Sequence, residues 1–325
     1  MKDEETMKRT TTYIFAIIII IALVVSIYAY TAFQGAPEKF EGGDLVDDLG
    51  YSLTLSSPPE RIVSLAPSNT EMLFAVGAGD NVVGVTDFCN YPYNFSAWIE
   101  AGNMSSIGNY YNPSVEPIVA LDPDLVLAST GSLEATENLR TLGYNVLVIE
   151  PRNVSFVLRD IVLIGRATNH YNEALDVESA LKDRIEAVEN KVAEATTTPK
   201  VYHEIWNGPL MSAGPGTFID ELITLAGGEN IFHDATTSWP NTSSEAIIEK
   251  NPDVMFFPNM YMGVGNFYET IETVENRPGW NTITAIKNGA IYEINADIIS
   301  RSGPRLVDAL ELIAKMVHPE IFGQP

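Results

Sequence analysis

The feature that most constrains the fold of this chain is an internal repetition. Residues 112–124 and residues 241–253 share Asn, Ser, Glu, Ile, Pro and Asp at identical spacing. A weaker pair of similar segments, 78–82 and 227–231, follows the same order in the two halves. In each copy of the first repeat, the Asn and Ser indicate a helix start, the Glu lies in the first turn, and the Pro-Asp pair indicates a turn into a strand. Two repeats in register predict two lobes of similar construction.

Short apolar segments alternate with helix-length segments along most of the chain. The predicted strands cover residues 61–65, 82–86, 125–128, 145–149, 200–205, 254–257 and 290–294. The helices predicted between them include 69–76 and 217–225, and glycines suited to a helix C-terminus follow at Gly77 and Gly227. This alternation predicts an α/β fold with largely parallel sheets. The two lobes are expected at residues 59–152 and 199–325.

Between the lobes, residues 153–198 are predicted to form one long connecting helix. Apolar residues recur with a period near 3.6 over 173–195, and Pro199 ends the pattern. The pair Thr168-Asn169 is the one good turn signal inside this segment. A stiff connector predicts a closed, ordered cleft between the lobes, which is the natural place for a ligand.

The N-terminal part of the chain predicts where the protein works. Residues 13–33 are almost entirely apolar and uncharged, which suits a membrane-spanning helix better than a signal-peptide core. Basic residues precede this run and acidic residues follow it, so residues 1–12 are expected in the cytoplasm and the binding domain outside. Small residues near the end of the run leave removal as a signal peptide open. Residues 34–58 are rich in Gly and Asp and predict a flexible tether, with Asp47-Asp48 as a solvated charge run.

Charge and motif content exclude several classes of protein. The chain has 19 basic and 43 acidic residues, a formal net charge of −24, which argues against nucleic-acid binding. Its single cysteine, Cys89, excludes an intramolecular disulfide, a Cys-rich zinc site and an iron–sulfur cluster. Motifs of hydrolases, phosphate-binding loops and zinc proteases are absent from the sequence. We therefore expect no catalytic site, no metal site and no resident cofactor, and we interpret His203 as a hydrogen-bonded core residue, with a metal-ligand role as the alternative.

A family resemblance begins at Pro59, where the sequence reads PERIVSLAPSNTE. This run closely resembles the opening of the cobalamin (vitamin B12) substrate-binding proteins of ABC importers, a class that also binds ferric siderophores and haem. The likeness covers residues 59–318. Further matching blocks are 84–87, 90–92, 116–126, 213–222, 226–232 and 302–305.

The resemblance implies two Rossmann-like lobes joined by a single long backbone helix, and a monomeric receptor that performs no chemistry. It also implies that Glu116 and Glu245 dock onto arginines of the permease dimer, which works with its ATPase subunits. Two equivalent exposed carboxylates on similar lobes suit a two-fold partner. The alternative is that the two glutamates only stabilise the N-termini of their helices.

For the ligand, the resemblance implies that Tyr110 and Trp239 are cleft aromatics. A corrin ring is large and mostly flat, so aromatic faces supply contact area and a few polar groups orient the ring. The remaining ligand-binding candidates are Met211, Tyr111, Trp206 and Asp297. Met211 departs from the pattern, because the familiar cobalamin binder has an aromatic residue there, although methionine fills irregular apolar contacts well. Core packing is the alternative for each aromatic residue.

Other functions stay open at this point. A ferric-siderophore receptor needs cationic residues facing an anionic chelate, and the segments expected near the cleft contain few besides Arg301 and Arg305. A haem receptor needs an axial ligand, for which Tyr110 or His203 could serve. An exported two-lobed enzyme is the alternative from a different class, and recovery of an unchanged ligand would set it aside.

Overall fold

The computed structural model describes Phe40, residues 43–260 and residues 268–325. The chain divides at Phe40 into two units, and every element described below belongs to the second. The predicted membrane segment, residues 13–33, lies outside the described residues. Within the described residues, we find no helix that combines the length and the apolar character needed to cross a bilayer.

The segment predicted to be a flexible tether contains a β-hairpin, so that prediction is wrong for residues 43–55. Strands β1 (Gly43–Val46) and β2 (Ser52–Leu55) pair in antiparallel fashion. The turn carboxylates are not a solvated charge run, because Asp47 is buried and accepts a hydrogen bond from Arg140 at 2.6 Å. Asp48 pairs with Arg159 on a later helix. The Gly- and Asp-rich composition therefore builds a turn that is fixed to the N-terminal lobe by ion pairs.

The N-terminal lobe contains a five-stranded parallel sheet covered by helices. Its strands are β3 (Ile62–Ser64), β4 (Val82–Val85), β5 (Ser105–Ser106), β6 (Leu125–Ala128) and β7 (Val146–Val148). They lie side by side in the order β5-β4-β3-β6-β7. The central strands are buried throughout and apolar except for Ser64, as expected for a parallel sheet covered on both faces. The helices of this lobe are α1 (Pro67–Ala75), α2 (Phe95–Glu100), α3 (Val115–Val119) and α4 (Leu133–Thr141).

In place of the single connecting helix predicted for residues 153–198, the chain forms two. Helix α5 (Val154–Thr168) ends at Asn169, whose left-handed backbone (φ 63°) turns the chain, and α6 (Tyr171–Val192) follows. A side chain at Gly165 would place its Cβ 2.3 Å from the Cβ of Ala174, so the two helices pack closely beside their junction. The turn signal at Thr168-Asn169 marks the true boundary.

The C-terminal lobe repeats the architecture of the first. Its strands are β8 (Lys200–Asn207), β9 (Leu210–Ser212), β10 (Glu229–Asn230), β11 (Val254–Pro258) and β12 (Ile291–Ile294). The parallel order is β10-β8-β11-β12, and β9 pairs with β8 in antiparallel fashion. The helices are α7 (Phe218–Leu225), α8 (Ser244–Lys250), α9 (Ile271–Glu275), α10 (Thr284–Lys287), α11 (Ala296–Ser300), α12 (Leu306–Val317) and α13 (Pro319–Phe322). The predicted α/β fold with two parallel-sheet lobes is confirmed.

The internal repeat has the same structural role in both lobes. Each copy contains a short helix, α3 or α8, followed by a Pro-Asp pair that leads into strand β6 or β11. Asp124 accepts a hydrogen bond at 2.9 Å from the backbone of Arg61, at the start of the neighbouring strand. Asp253 accepts the equivalent bond at 2.9 Å from Lys200. The repeated aspartate thus joins two adjacent strands of each sheet.

Candidate functional site

A cavity of about 440 Å³ lies between the two lobes. Its N-lobe wall comes from segments that follow the carboxyl ends of all five parallel strands, β3 to β7. Its C-lobe wall comes from the start of α7, the segment before α8, and α11. In open α/β sheets, ligands bind outside the carboxyl ends of the strands. The cleft predicted between the lobes is therefore present where this fold places its ligand sites.

Aromatic side chains from both lobes line the cavity. Phe88, Tyr110 and Tyr111 belong to the N-terminal lobe, and Phe218 and Trp239 belong to the C-terminal lobe. Tyr111 is 61% exposed and Trp239 is 47% exposed. Aromatic area that packing leaves in contact with solvent, grouped around one cavity, is typical of a surface that receives an apolar ligand.

Two glycines allow these aromatic residues to take their positions. A Cβ at Gly131 would lie 2.9 Å from the Cζ atom of Tyr110, so the tyrosine ring rests against a bare backbone. A Cβ at Gly214 would lie 2.4 Å from the carbonyl oxygen of Thr237, which precedes Trp239 by two residues. Larger side chains at either position would displace a wall of the cleft.

The hydroxyl of Tyr110 is held in its neutral form. It forms a hydrogen bond with the side chain of Ser129 at the end of β6, and burial raises the pKa of the tyrosine above its usual value. Tyr110 therefore presents a neutral phenol to the cleft at physiological pH. Glu150, on the same wall, accepts a hydrogen bond from the backbone of Thr130 at 3.0 Å.

An ion-pair network crosses from one lobe to the other beside the cavity. Glu71 of α1 is buried and accepts hydrogen bonds from Arg301 at 3.1 Å and from Arg305 at 2.6 Å. Asn90 of the N-terminal lobe donates to Asp297 of α11 at 2.8 Å, and it accepts from Arg301 at 2.7 Å. These contacts hold the two walls of the cleft at a defined separation.

The charges of the described residues that line the cavity balance. They are Glu150, Arg152, Asp297 and Arg301. Arg301 is engaged by protein groups, because it pairs with Glu71 and Asp297 and also donates to the carbonyl oxygen of Phe88 at 3.1 Å. No lysine is among the residues described along the walls. The cleft is therefore an aromatic cavity of low net charge inside a strongly acidic protein.

The structure brings together four of the six ligand-binding residues predicted from the sequence. Tyr110, Tyr111, Trp239 and Asp297 line the cavity. Met211 and Trp206 are not among the described residues that line it, and they lie opposite each other in the β8–β9 pair. A ligand contact by any of the six stays a prediction.

The two predicted docking glutamates occupy equivalent and exposed positions. Glu116 is the second residue of α3 and Glu245 the second residue of α8, and neither lines the cavity. The pKa of Glu245 is lowered by its own backbone N–H and by the hydroxyl of Ser243. The exposure suits contact with a partner, and the hydrogen bonds at Glu245 suit the alternative of helix stabilisation, so docking stays a prediction.

His203 does not face the cleft, so its suggested role as an axial ligand there is wrong. Its ring is buried in the C-terminal lobe and stacks on Phe256, and Nδ1 lies 3.1 Å from the carbonyl oxygen of the same residue. Burial lowers the pKa of His203 to about 4. Across residues 43–260 and 268–325, no group of three or more His, Cys, Asp or Glu side chains could hold a metal ion.

The wall residues that the sequence did not predict include Phe88, Arg152 and Phe218. Phe88 and Arg152 follow the carboxyl ends of predicted strands by a few residues, and Phe218 is the first residue of α7, inside the helix predicted for residues 217–225. The rule that loops at carboxyl strand ends bind ligands would have selected the first two.

Comparison with known proteins agrees with this geometry. The family model described as periplasmic binding protein matches residues 62–298. An ABC transporter substrate-binding lipoprotein of Bacillus subtilis is 32% identical over 288 residues, which cover 86% of this chain and 87% of that protein. A cobalamin-binding protein of Halobacterium salinarum is 30% identical over 327 residues, which cover 94% and 84% respectively.

A solved structure shows the same fold. The periplasmic heme-binding protein from Roseiflexus sp. RS-1, in its apo form, superposes with a TM-score of 0.68 at 25% identity, covering 80% of this chain and 98% of that one. The match of the family model to most of the chain is the decisive observation. The chain therefore belongs to the periplasmic binding protein family, whose members are non-enzymatic receptors that bind a solute for transport.

Proposed function

We propose that this protein captures a corrinoid, a cobalamin-like ligand, between its two lobes and delivers it to an ABC permease. The observation that carries the proposal is the cavity lined by aromatic residues from both lobes, with Tyr110 and Trp239 on opposite walls. Two aromatic walls suit a large flat ring, because faces and edges of aromatic groups supply area and geometry together. The resemblance to the cobalamin-binding protein of Halobacterium salinarum supports the same ligand.

The charge of the cleft favours a corrinoid over a ferric siderophore. A siderophore complex that carries several negative charges needs an excess of cationic side chains around it, since an unpaired buried charge is costly. Here the described walls contain two arginines, and Arg301 is already paired with Glu71 and Asp297. A corrin ring with amide substituents needs few charged partners.

Haem is the second candidate, favoured by the position of Tyr110 in the cleft and by the fold shared with the heme-binding protein of Roseiflexus. A tyrosine binds ferric iron as the phenolate. Because burial raises the pKa of Tyr110, the phenolate is harder to form in this cleft than in water. This observation ranks haem below a corrinoid.

Delivery requires a partner and a location. We propose that Glu116 and Glu245 contact basic groups on the two halves of a permease dimer that works with ATPase subunits, and that the receptor docks as a monomer. The apolar run of residues 13–33 would anchor the protein in the cell membrane, with the lobes outside. The ligand is cargo, and the proposal includes no resident cofactor.

Equilibrium dialysis of the purified protein against cyanocobalamin, haem and a ferric hydroxamate tests the ligand. We expect saturable binding of cyanocobalamin, recovered unchanged, and weaker binding of the other two. Trp239→Ala should weaken corrinoid binding by about 1–3 kcal/mol, as expected for loss of a large aromatic contact. Tyr93→Ala is the matched control, because Tyr93 is 48% exposed and does not line the cavity. Saturable binding of haem or the hydroxamate without cyanocobalamin would replace the proposed ligand.

A further inference from the structure

The cleft contains an arginine that takes no part in the ion pairs beside the cavity. Arg152 lies four residues beyond the end of β7, in the segment that leads into α5. Its side chain is exposed and lines the cavity beside Glu150 and the aromatic wall. The segment 149–152 contributes four consecutive residues to the wall, and Arg152 is the last of them.

Every other charged group that lines the cavity has a partner within the protein. Arg301 is bound by Glu71 and Asp297, and Asp297 also accepts from Asn90. Glu150 accepts from a backbone N–H. By contrast, within residues 43–260 and 268–325 Arg152 forms neither an ion pair nor a hydrogen bond with protein groups. It is the cation of the described cleft that remains available to a ligand.

The backbone N–H groups at the start of α5, next to Arg152 in the chain, do not form a second anion-binding site. Two of the first three N–H groups of α5 are already used, because Val154 donates to Glu221 at 2.8 Å and Phe156 donates to the side chain of Asn153 at 2.9 Å. The start of this helix therefore offers little to an anionic ligand. The guanidinium of Arg152 has five N–H donors in a planar fork, which match the oxygens of a phosphate or carboxylate.

We propose that Arg152 binds the anionic group of the transported ligand. This inference rests on the proposed function: in a corrinoid that carries a nucleotide loop, the group is the phosphodiester of that loop. One available guanidinium matches one phosphodiester, whereas haem carries two carboxylates and a siderophore complex often carries more. Arg152 is therefore a specificity residue, which separates complete corrinoids from those that lack the loop.

The test compares two corrinoids and three variants by titration calorimetry. Cyanocobalamin contains the phosphodiester, and dicyanocobinamide lacks the nucleotide loop. We expect Arg152→Gln to weaken cyanocobalamin binding about tenfold, in the range of a charge-assisted hydrogen bond. It should change cobinamide binding by less than about twofold, and Arg152→Lys should give an intermediate loss for cyanocobalamin. Arg166→Gln is the control, because Arg166 lies on α5 and does not line the cavity.

The outcomes separate the inference from the proposed function. An equal loss for both corrinoids in Arg152→Gln, or no loss for either, overturns the role of Arg152 while corrinoid binding by the wild type upholds the proposed function. Binding of neither corrinoid, without haem binding that depends on Arg152, overturns both. Haem binding that depends on Arg152, without corrinoid binding, supports an anion contact at this residue and overturns the corrinoid.

Discussion

Gly131 shows how a single residue without a side chain determines the shape of the cleft. Replacing it with Ala places a methyl group 2.9 Å from the Tyr110 ring, which must then move. We expect Gly131→Ala to weaken ligand binding about tenfold and to change the melting temperature little, because the ring can turn toward the open cavity. Calorimetric titration with the ligand and a thermal melt of the unliganded protein measure the two effects.

A double-variant cycle supplies the control for this prediction. In a Tyr110→Ala background the methyl group has no ring to displace, so Gly131→Ala should have no further effect on affinity. Additive losses in the double variant would show that Gly131 acts on the cleft by another route.

His203 is a second residue whose effect follows from its surroundings, and it concerns stability. Burial lowers its pKa from 6.5 to about 4, so the unfolded chain binds the proton more readily than the folded protein between these values. Stability is therefore lost as the pH falls through this range, by about 2 kcal/mol between pH 8 and pH 5. Urea unfolding of the wild type and His203→Gln at both pH values measures the difference.

The comparison with the variant is essential because Asp160 contributes the opposite slope. Burial raises the pKa of Asp160 to about 8, so its contribution to stability falls as the pH rises. This contribution is common to the wild type and His203→Gln, and it cancels in the difference between them. If the two proteins lose stability equally between pH 8 and pH 5, the histidine does not titrate as stated.

The alternation of apolar segments predicted the strands of both sheets well. It predicted poorly the helices that connect the lobes and the N-terminal hairpin. The strands Leu125–Ala128 and Val254–Pro258 are continuous apolar runs, as is typical of strands buried in a parallel sheet. The boundary at Asn169 was harder to predict, because helical periodicity resumes at once on the far side of the turn. The hairpin of residues 43–55 was missed since its stability depends on the distant partners Arg140 and Arg159.

The cleft residues also divide into those that a local sequence pattern predicts and those whose position depends on distant parts of the chain. Tyr110 and Trp239 were identified because they belong to segments that resemble a family, whereas Phe88 and Arg152 have no such local mark. Their position depends on which strand ends meet at the cavity, a property of sheet order. Which strand ends meet at the cavity follows from the order of the strands in the sheet, and a local segment of sequence does not specify that order.

The close packing of α5 on α6 gives a prediction at the scale of an element. Ala at Gly165 would improve helix propensity by up to about 1 kcal/mol. Its Cβ, however, would lie 2.3 Å from the Cβ of Ala174 and 2.7 Å from the carbonyl oxygen of His170, which is a backbone atom that cannot easily move. We expect Gly165→Ala to destabilise the protein by about 1–3 kcal/mol in urea unfolding. Adding Ala174→Gly should restore part of the loss, and unchanged stability in Gly165→Ala would contradict the packing described.

At the scale of the whole molecule, Glu71 joins the two lobes. Glu71→Gln leaves the largely buried guanidinium of Arg305 without its carboxylate and leaves Arg301 with Asp297 alone. Breaking a buried pair of this kind costs about 3–5 kcal/mol. We expect a loss at the lower end of this range in urea unfolding, together with weaker ligand binding. Glu137→Gln is the control, because its exposed carboxylate lies 3.8 Å from Arg140 and should contribute under about 1 kcal/mol. Equal stability of the two variants would refute the cross-lobe role.

Docking is tested on the molecule and its partner together. If Glu116 and Glu245 each meet a basic group of the permease, the double change to Lys should nearly abolish uptake, because like charges at an interface cost several kcal/mol. Ligand affinity should be unchanged, since neither residue lines the cavity. Uptake in cells, measured beside binding by the purified double variant, separates docking from helix stabilisation. Normal uptake would reject the docking role.

We expect the cross-lobe ion pairs also to limit the thickness of the ligand. The spacing of the two lobes is fixed by ion pairs of Glu71 with Arg301 and Arg305. These contacts are made entirely by protein groups and do not involve the ligand. The cleft therefore selects a ligand first by its thickness and then by its polar groups. Substitutions on the cleft walls alone could change the specificity from one flat macrocycle to another of the same thickness. A thicker ligand would also require different cross-lobe ion pairs. The cross-lobe ion pairs of this receptor could thus stay unchanged when one flat-ring ligand is replaced by another.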